Sequence, residues 1–113
     1  MDESVVQHLE LNEISQVLAR AAQILSERGL HKCELFDLDP FRGSVCIQGA
    51  IIAAIHAGDA RDAMLSAEQQ QLFMRALHRV RTRIGGHDIA DWNDVSTRTQ
   101  YEAVTLLASA AVA

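Results

Sequence analysis

The sequence predicts a mainly α-helical fold, a compact bundle of about four helices around one central apolar helix. Apolar residues recur at three- and four-residue steps in three long segments, which is the period of a helix with one buried face. A fourth segment, at 45–57, is apolar nearly all round, and only six Gly and one Pro interrupt the chain. Since a helix that is apolar on every side has to be covered by others, this segment is predicted to lie at the centre.

The length of 113 residues fits one domain, because compact domains cluster at about 100–150 residues. Apolar residues make up 49% and charged residues 22% of the chain, which excludes a disordered or collagen-like protein. We therefore expect a single helical domain over residues 1–113, with residues 1–11 open to fraying. The acidic start lacks the basic and apolar regions of a secretory signal, so we expect a cytoplasmic protein without a membrane span.

The first helix is predicted over Glu13–Arg28, with Asn12 as its N-cap and Gly29 as its stop. The following residues, 30–43, alternate apolar and acidic side chains and include Pro40, so they predict an extended loop or a minor β-hairpin. The core stripe of the helix consists of Ile14, Val17, Leu18, Ala21, Ile24 and Leu25.

The second helix, the central one, is predicted to start after a Ser44 cap and to run to about Ala57. Gly49 and the alanines beside it give this helix a slim side that a neighbouring helix can approach closely. That side could pack within one chain or against a second copy, which leaves a homo-oligomer open.

A capping box at Ser66–Gln69 opens the third predicted helix, which runs to about Ile84. A fourth helix is predicted from about Thr97 to Ala110. Its predicted inner face consists of Tyr101, Val104, Leu107, Ala108 and Ala111.

Two short motifs carry a family resemblance. The segment Cys46-Ile47-Gln48-Gly49-Ala50 and the later triplet Trp92-Asn93-Asp94, followed by Arg98-Thr99, resemble a family of small actinobacterial and actinophage proteins called a domain of unknown function. Members of that family carry a Cys-x-x-Gly-Ala segment and a Trp-Asn-Asp triplet before the last helix. The resemblance implies a shared fold and supplies no mechanism.

The Trp-Asn-Asp triplet has a structural and a functional interpretation. Structurally, Trp92 packs the connection against the core, and the Asn93 side chain holds the loop. Asp94 is expected near the start of the last helix, where the positive end of the helix dipole stabilises its carboxylate and where it could meet Arg98. Functionally, Asn93, Asp94 and Arg98 would form a polar binding site.

Cys46 also has two interpretations. Near the first turn of the central helix, free amides and the helix dipole lower the pKa of a thiol, which suits a nucleophile. A thiol-dependent hydrolase or acyl transferase would then use Cys46 with His87 as base and Asp94, or another acid or amide of the 85–96 loop, as the orienting group. Alternatively, Cys46 is a small buried side chain between apolar neighbours.

Other site chemistry is not favoured. His31, Cys33, Cys46 and His56 lack the paired spacings of structural zinc sites, so no metal or other cofactor is expected, and a Cys33–Cys46 disulfide is not expected in a reducing compartment. The basic run 75–83 lacks interleaved aromatic residues, and the net charge is −5, which does not favour nucleic-acid binding. The sequence thus predicts a small interaction or regulatory module with an unidentified protein partner.

Overall fold

Five α-helices form the fold of the residues that the computed structural model describes, 3–32, 45–56 and 65–112, with side chains from residue 13 onward. In chain order they are α1 (Glu3–Arg28), α2 (Ile47–Ile55), α3 (Ala67–Arg83), α4 (Ile89–Asp94) and α5 (Gln100–Ala111). The mainly helical bundle predicted from the sequence is confirmed.

The first helix is longer than predicted. It begins at Glu3 and runs through Asn12, so the prediction that Asn12 is an N-cap is wrong. No Gly or Pro lies between residues 3 and 12, and nothing in the local sequence stops the helix there. Its end is as predicted: Gly29 has φ 91° and its N–H donates to the Leu25 carbonyl at 2.9 Å. The buried face of α1 packs against α2, α3 and α5.

The central helix starts later than predicted. Its N-cap is Cys46, whereas the predicted cap, Ser44, lies outside the described residues. Val45 pairs with Leu30 in an isolated parallel β-bridge, and its N–H donates to the Gly29 carbonyl at 2.9 Å. An extended residue at 45 prevents the helix from including it. The predicted loop or hairpin at 30–43 falls mostly on 33–44, outside the described residues.

Burial confirms the central position of α2. Ile47, Ala50 and Ile51 have no exposed surface, and the helix contacts α1, α3 and α4. The most extensive interface of the described residues is nevertheless between α1 and α5. The fold is therefore organised by two helices: α2 supplies the most deeply buried segment, and α1 joins it to the rest of the bundle.

The predicted capping box of α3 is present. The Ser66 Oγ accepts from the Gln69 N–H at 3.2 Å, and the Gln69 side chain accepts from the Ser66 N–H at 2.9 Å. Further along the helix, Arg79 donates from Nη1 to the Ser15 Oγ at 2.8 Å and to the Ala110 carbonyl at 3.3 Å. Arg79 therefore ties α3 to α1 and α5, and it does not belong to a free basic surface.

The last part of the chain contains a helix that the sequence analysis missed. Asp88 caps the short α4 by accepting from the Asp91 N–H at 3.1 Å. The final helix then starts at Gln100, later than the predicted Thr97, because Thr99 forms a capping box with Glu102. This Thr-x-x-Glu signal was readable in the sequence.

The inner face of α5 is shifted from the predicted one. Tyr101 is 79% exposed and Ala108 is also exposed, so their assignment to the core is wrong. The helix turns a mixed face of alanines and leucines inward, and α5 packs against α1. The buried face consists of Ala103, Leu106, Leu107, Ala110 and Ala111.

We predict that Ala50→Asp destabilises the protein by at least about 3 kcal/mol, because it places an unpaired carboxylate at a site with no exposed surface. Ala19→Asp, at an exposed position of α1, is the matched control and should change stability by less than about 1 kcal/mol. Urea unfolding followed by circular dichroism measures both. An Ala50→Asp protein as stable as the control would contradict the central position of α2.

Candidate functional site

The side chain of Asn93 lies at the junction of α4, α2 and the end of α1. It is 1% exposed and is the only buried polar residue among those described. Its Oδ1 accepts from the Ile47 N–H at 2.9 Å, and its Nδ2 donates to the His31 carbonyl at 3.0 Å and to the Asp94 Oδ1 at 3.0 Å. A buried carboxamide with both donors and its acceptor engaged has no hydrogen left for a ligand.

These contacts supply hydrogen-bond partners to the buried backbone amide at the start of α2. The first amides of a helix have no partner within the helix, and Ile47 has no exposed surface at which water could supply one. Asn93 supplies that acceptor from a position 46 residues away. Two residues further on, the Gly49 amide donates to the Cys46 Sγ at 3.2 Å. The entry into the central helix is thus held by two side chains.

Trp92 and Arg98 form a second cluster beside Asn93. The Arg98 guanidinium carbon lies 3.6 Å from the centre of the Trp92 ring, and its Nε donates to the Trp92 carbonyl at 2.9 Å. Nη1 of the same arginine donates to the Glu102 carboxylate at 2.9 Å. Arg98 therefore stacks on the aromatic face and binds two acceptors, which fixes the turn between α4 and α5.

Asp94 is not where the sequence analysis placed it. It is the last residue of α4 and not a residue at the start of the final helix, so the predicted stabilisation by a helix N-terminus is wrong. The ion-pair partner of Arg98 is Glu102. Asp94 instead accepts a hydrogen bond from the Asn93 Nδ2, and its negative charge raises the pKa of the Cys46 thiol.

The pKa of Cys46 is raised, whereas a helix start alone would lower it. This residue is a free thiol, 7% exposed, and burial raises its pKa above the ordinary value. The hydrogen bond from the Gly49 amide lowers the pKa by less than burial raises it, and the carboxylate of Asp94 raises it further. Burial outweighs the helix-start effect because it removes the thiolate from water. Cys46 is therefore held as the neutral thiol at pH 7.

His87 lies apart from this cluster, on the surface. It is exposed and lines a shallow groove of about 430 Å³ between the end of α3, α4 and α5. Neither Cys46 nor Asp94 lines this groove. Among the hydrogen bonds of the described residues, none joins the His87 ring to the thiol or to the carboxylate. Asp94 is thus near enough for its charge to raise the pKa of Cys46, whereas His87 lines a groove that neither residue lines.

The groove combines aromatic and aliphatic side chains with open space. Leu106 is 8% exposed and Tyr101 is 79% exposed, so the groove has a covered floor and an exposed aromatic rim. Trp92 and Ile84 are half-buried and pack against the core from the same side. Sequence analysis missed this surface because it assigned Tyr101 to the core.

Two further residues that the sequence analysis passed over, Gln100 and Lys32, connect the end of α1 and the residues after it to the α4–α5 turn and the start of α5. Gln100 donates from Nε2 to the Ser26 carbonyl at 2.9 Å and to the Leu25 carbonyl at 3.3 Å, which satisfies the end of α1. Lys32 donates to the Val95 carbonyl. Neither contact has a signal in the local sequence, because the partners lie more than sixty residues apart.

Among the side chains that the structure describes, those of residues 13–32, 45–56 and 65–112, no group of three His, Cys, Asp or Glu is placed to hold a metal ion. None of the helices described there has both the length and the apolar character that crossing a membrane needs.

A family comparison matches almost the whole chain, over residues 10–113, and its profile is that of a family of unknown function, DUF6197. The chain belongs to this family. The match includes the Asn93 junction, the Cys46 cap and every residue of the groove, so all three features lie in the DUF6197 region. The comparisons found no curated protein and no solved structure that is significantly similar to the chain.

We predict that Asn93→Ala lowers the free energy of unfolding by about 2–5 kcal/mol, because it leaves the Ile47 amide and the His31 carbonyl without their partner. Asp91→Ala, an exposed change in the same short helix, should cost less than about 1 kcal/mol. Urea unfolding of the two variants makes the comparison. Equal stabilities would show that the junction does not depend on the carboxamide.

We predict a pH-dependent role for Glu102. Hydrogen bonds from the Thr99 amide and from Arg98 lower the pKa of Glu102 below its ordinary value of 4.5. Because the pKa is lower in the folded state, the ionised carboxylate stabilises the fold above about pH 4.5, and this contribution is lost as the pH falls through the folded pKa.

Glu102→Gln keeps a capping acceptor but cannot ionise. The wild type should therefore melt at a higher temperature than Glu102→Gln at pH 6, and the two Tm values should converge by pH 3. Thermal unfolding across this range gives the difference. A Tm difference that stays constant with pH would contradict the assignment.

Proposed function

We propose that this chain is a small, non-enzymatic interaction or regulatory module that acts in the cytoplasm and binds a protein partner through the groove between α3, α4 and α5. The observation that carries the proposal is the groove itself. It offers an exposed Tyr101 and a half-buried Trp92 beside aliphatic side chains, and large aromatic residues dominate the binding energy of protein interfaces.

The polar residues that could have formed a catalytic or binding site support the same proposal, because the fold already uses them. Asn93 is fully engaged in the junction, and Arg98 is held by Trp92 and Glu102. Cys46 caps α2. Tyr101, on the rim of the groove, makes no comparable contact within the described structure. An exposed aromatic residue without a role in the fold is more readily explained by binding.

The competing proposal, a thiol-dependent enzyme, finds less support. It would need Cys46 as thiolate and a base within hydrogen-bond reach. Burial raises the pKa of Cys46, and His87 lines the groove instead of facing the thiol.

The two sequence motifs at Cys46 and Trp92 remain our grounds for proposing an origin in actinobacteria or their phages. The homo-oligomer that the sequence leaves open would use a surface other than the slim side of α2, because Gly49 and the alanines beside it are buried within the chain.

Site-specific photocrosslinking tests the interaction proposal. We predict that benzoylphenylalanine at position 101, in cells that naturally carry the gene, gives a discrete protein adduct, whereas the same group at exposed Ala67 gives none. Thr105→Arg, which fills the groove from an exposed position on α5, should abolish the adduct at 101. Equal adducts at 67 and 101, or an adduct that survives Thr105→Arg, would contradict binding at the groove.

Thiol alkylation tests the enzymatic alternative. In a Cys33→Ser background, Cys46 should react with iodoacetamide at pH 7 at least about tenfold more slowly than the same protein in denaturant, because the thiol is buried and protonated. The rate should keep rising with pH beyond pH 9, since the thiol pKa lies above its ordinary value. Rapid alkylation of the folded protein at pH 6–7 would favour the enzyme.

A further inference from the structure

The chemistry of the groove limits the kind of partner it can take. Its rim on α5 is the stripe Tyr101, Thr105 and Ser109, spaced four residues apart, so it extends over about 12 Å of helix. This length matches three or four residues of an extended segment. Arg83 and His87 lie on the opposite side, at the end of α3 and before α4.

The charges of the groove do not cancel. Glu102 is the carboxylate of the groove, and its charge is already offset by the ion pair with Arg98 at 2.9 Å. Arg83 is exposed at the end of α3, and among the described residues it has no ion-pair partner. Counted together with Arg98, which pairs with Glu102 from outside the lining, the groove is left with one unbalanced positive charge, that of Arg83, although the whole chain carries −5.

The hydrogen-bonding groups point to a backbone or carboxylate ligand. The Ser109 hydroxyl is used within its own helix, where it donates to the Leu106 carbonyl at 2.8 Å. Thr105 and Tyr101 make no hydrogen bond through their hydroxyls within the described structure, and both are exposed. Two free hydroxyls beside an apolar floor suit a peptide that supplies both polar and apolar groups.

From these observations we propose that the groove binds a short acidic segment of a partner protein, which places an aliphatic or aromatic side chain on Leu106 and Trp92 and a carboxylate against Arg83. This rests on the proposed function and adds the chemical class of the partner. Arginine beside aromatic side chains is a common recognition surface for such segments, because the carboxylate is bound at one end while the apolar group leaves water at the other.

Peptide titrations of the full-length ¹⁵N-labelled protein, followed by NMR, test the proposal. The probe is acetyl-Glu-Ile-Phe-Glu-amide, with acetyl-Lys-Ile-Phe-Lys-amide and acetyl-Glu-Ser-Ser-Glu-amide as controls for charge and for the apolar anchor. We expect the acidic apolar probe to bind most tightly and to shift the amides of residues 83–109 that line the groove. Its affinity should fall as salt is added.

Arg83→Gln should weaken binding of the acidic probe about two- to fivefold, as expected for one exposed charge pair. Arg20→Gln, an exposed change on α1, should leave the affinity unchanged. Equal binding of the acidic and the basic probes, or an Arg83→Gln protein that binds as well as the wild type, would overturn the proposal.

Two further outcomes separate this inference from the proposed function. If Tyr101 crosslinks a partner and Thr105→Arg abolishes the adduct, but no acidic probe binds, then the interaction function stands and its acidic partner class is wrong. If sedimentation shows self-association and the groove amides shift with protein concentration alone, then a second copy is the occupant, which also overturns the acidic partner.

Discussion

The fold depends on the hydrogen bonds of one buried side chain, the carboxamide of Asn93. The chain enters its most apolar helix from an extended residue, Val45, and both Val45 and Ile47 are fully buried. A backbone amide in such a place needs a protein partner, because water cannot reach it. Asn93 provides the acceptor for Ile47 and at the same time donates to the His31 carbonyl. One residue thereby joins the end of α1, the start of α2 and α4.

Side chains at helix ends do much of the remaining work of organising this bundle. α2 has nine residues, α4 six and α5 twelve, and helices this short are marginal without tertiary support. Each begins at a residue whose side chain accepts from a free amide: Cys46, Asp88 and Thr99. The end of α1 is satisfied from a distance by Gln100. Local capping and long-range capping are thus combined around a small apolar core.

The structural roles of the polar side chains near α2 limit the functions that these side chains can have. The polar groups near α2 satisfy buried backbone or hold turns, so the chemistry available there is limited by the needs of the fold. Cys46 illustrates the limit, since the same burial that completes the core raises the pKa of the thiol. In the groove between α3, α4 and α5, Glu102 and Trp92 also serve the fold, through the α5 cap and the stacking on Arg98. Tyr101 and Arg83 at its edges are exposed, and Arg83 has no ion-pair partner among the described residues.

The sequence by itself determined the helical class, the buried position of residues 45–54, the stop at Gly29 and the capping box at Ser66, because these depend on periodicity and on contacts within a few residues. Tertiary structure decided the rest. Whether Asn93 holds a loop or lines a pocket depends on partners 46 and 62 residues away. Whether Tyr101 faces the core or solvent depends on which side of α5 the long helix α1 covers. The acidity of Cys46 depends on how far packing excludes water from a helix start, which no spacing in the chain records.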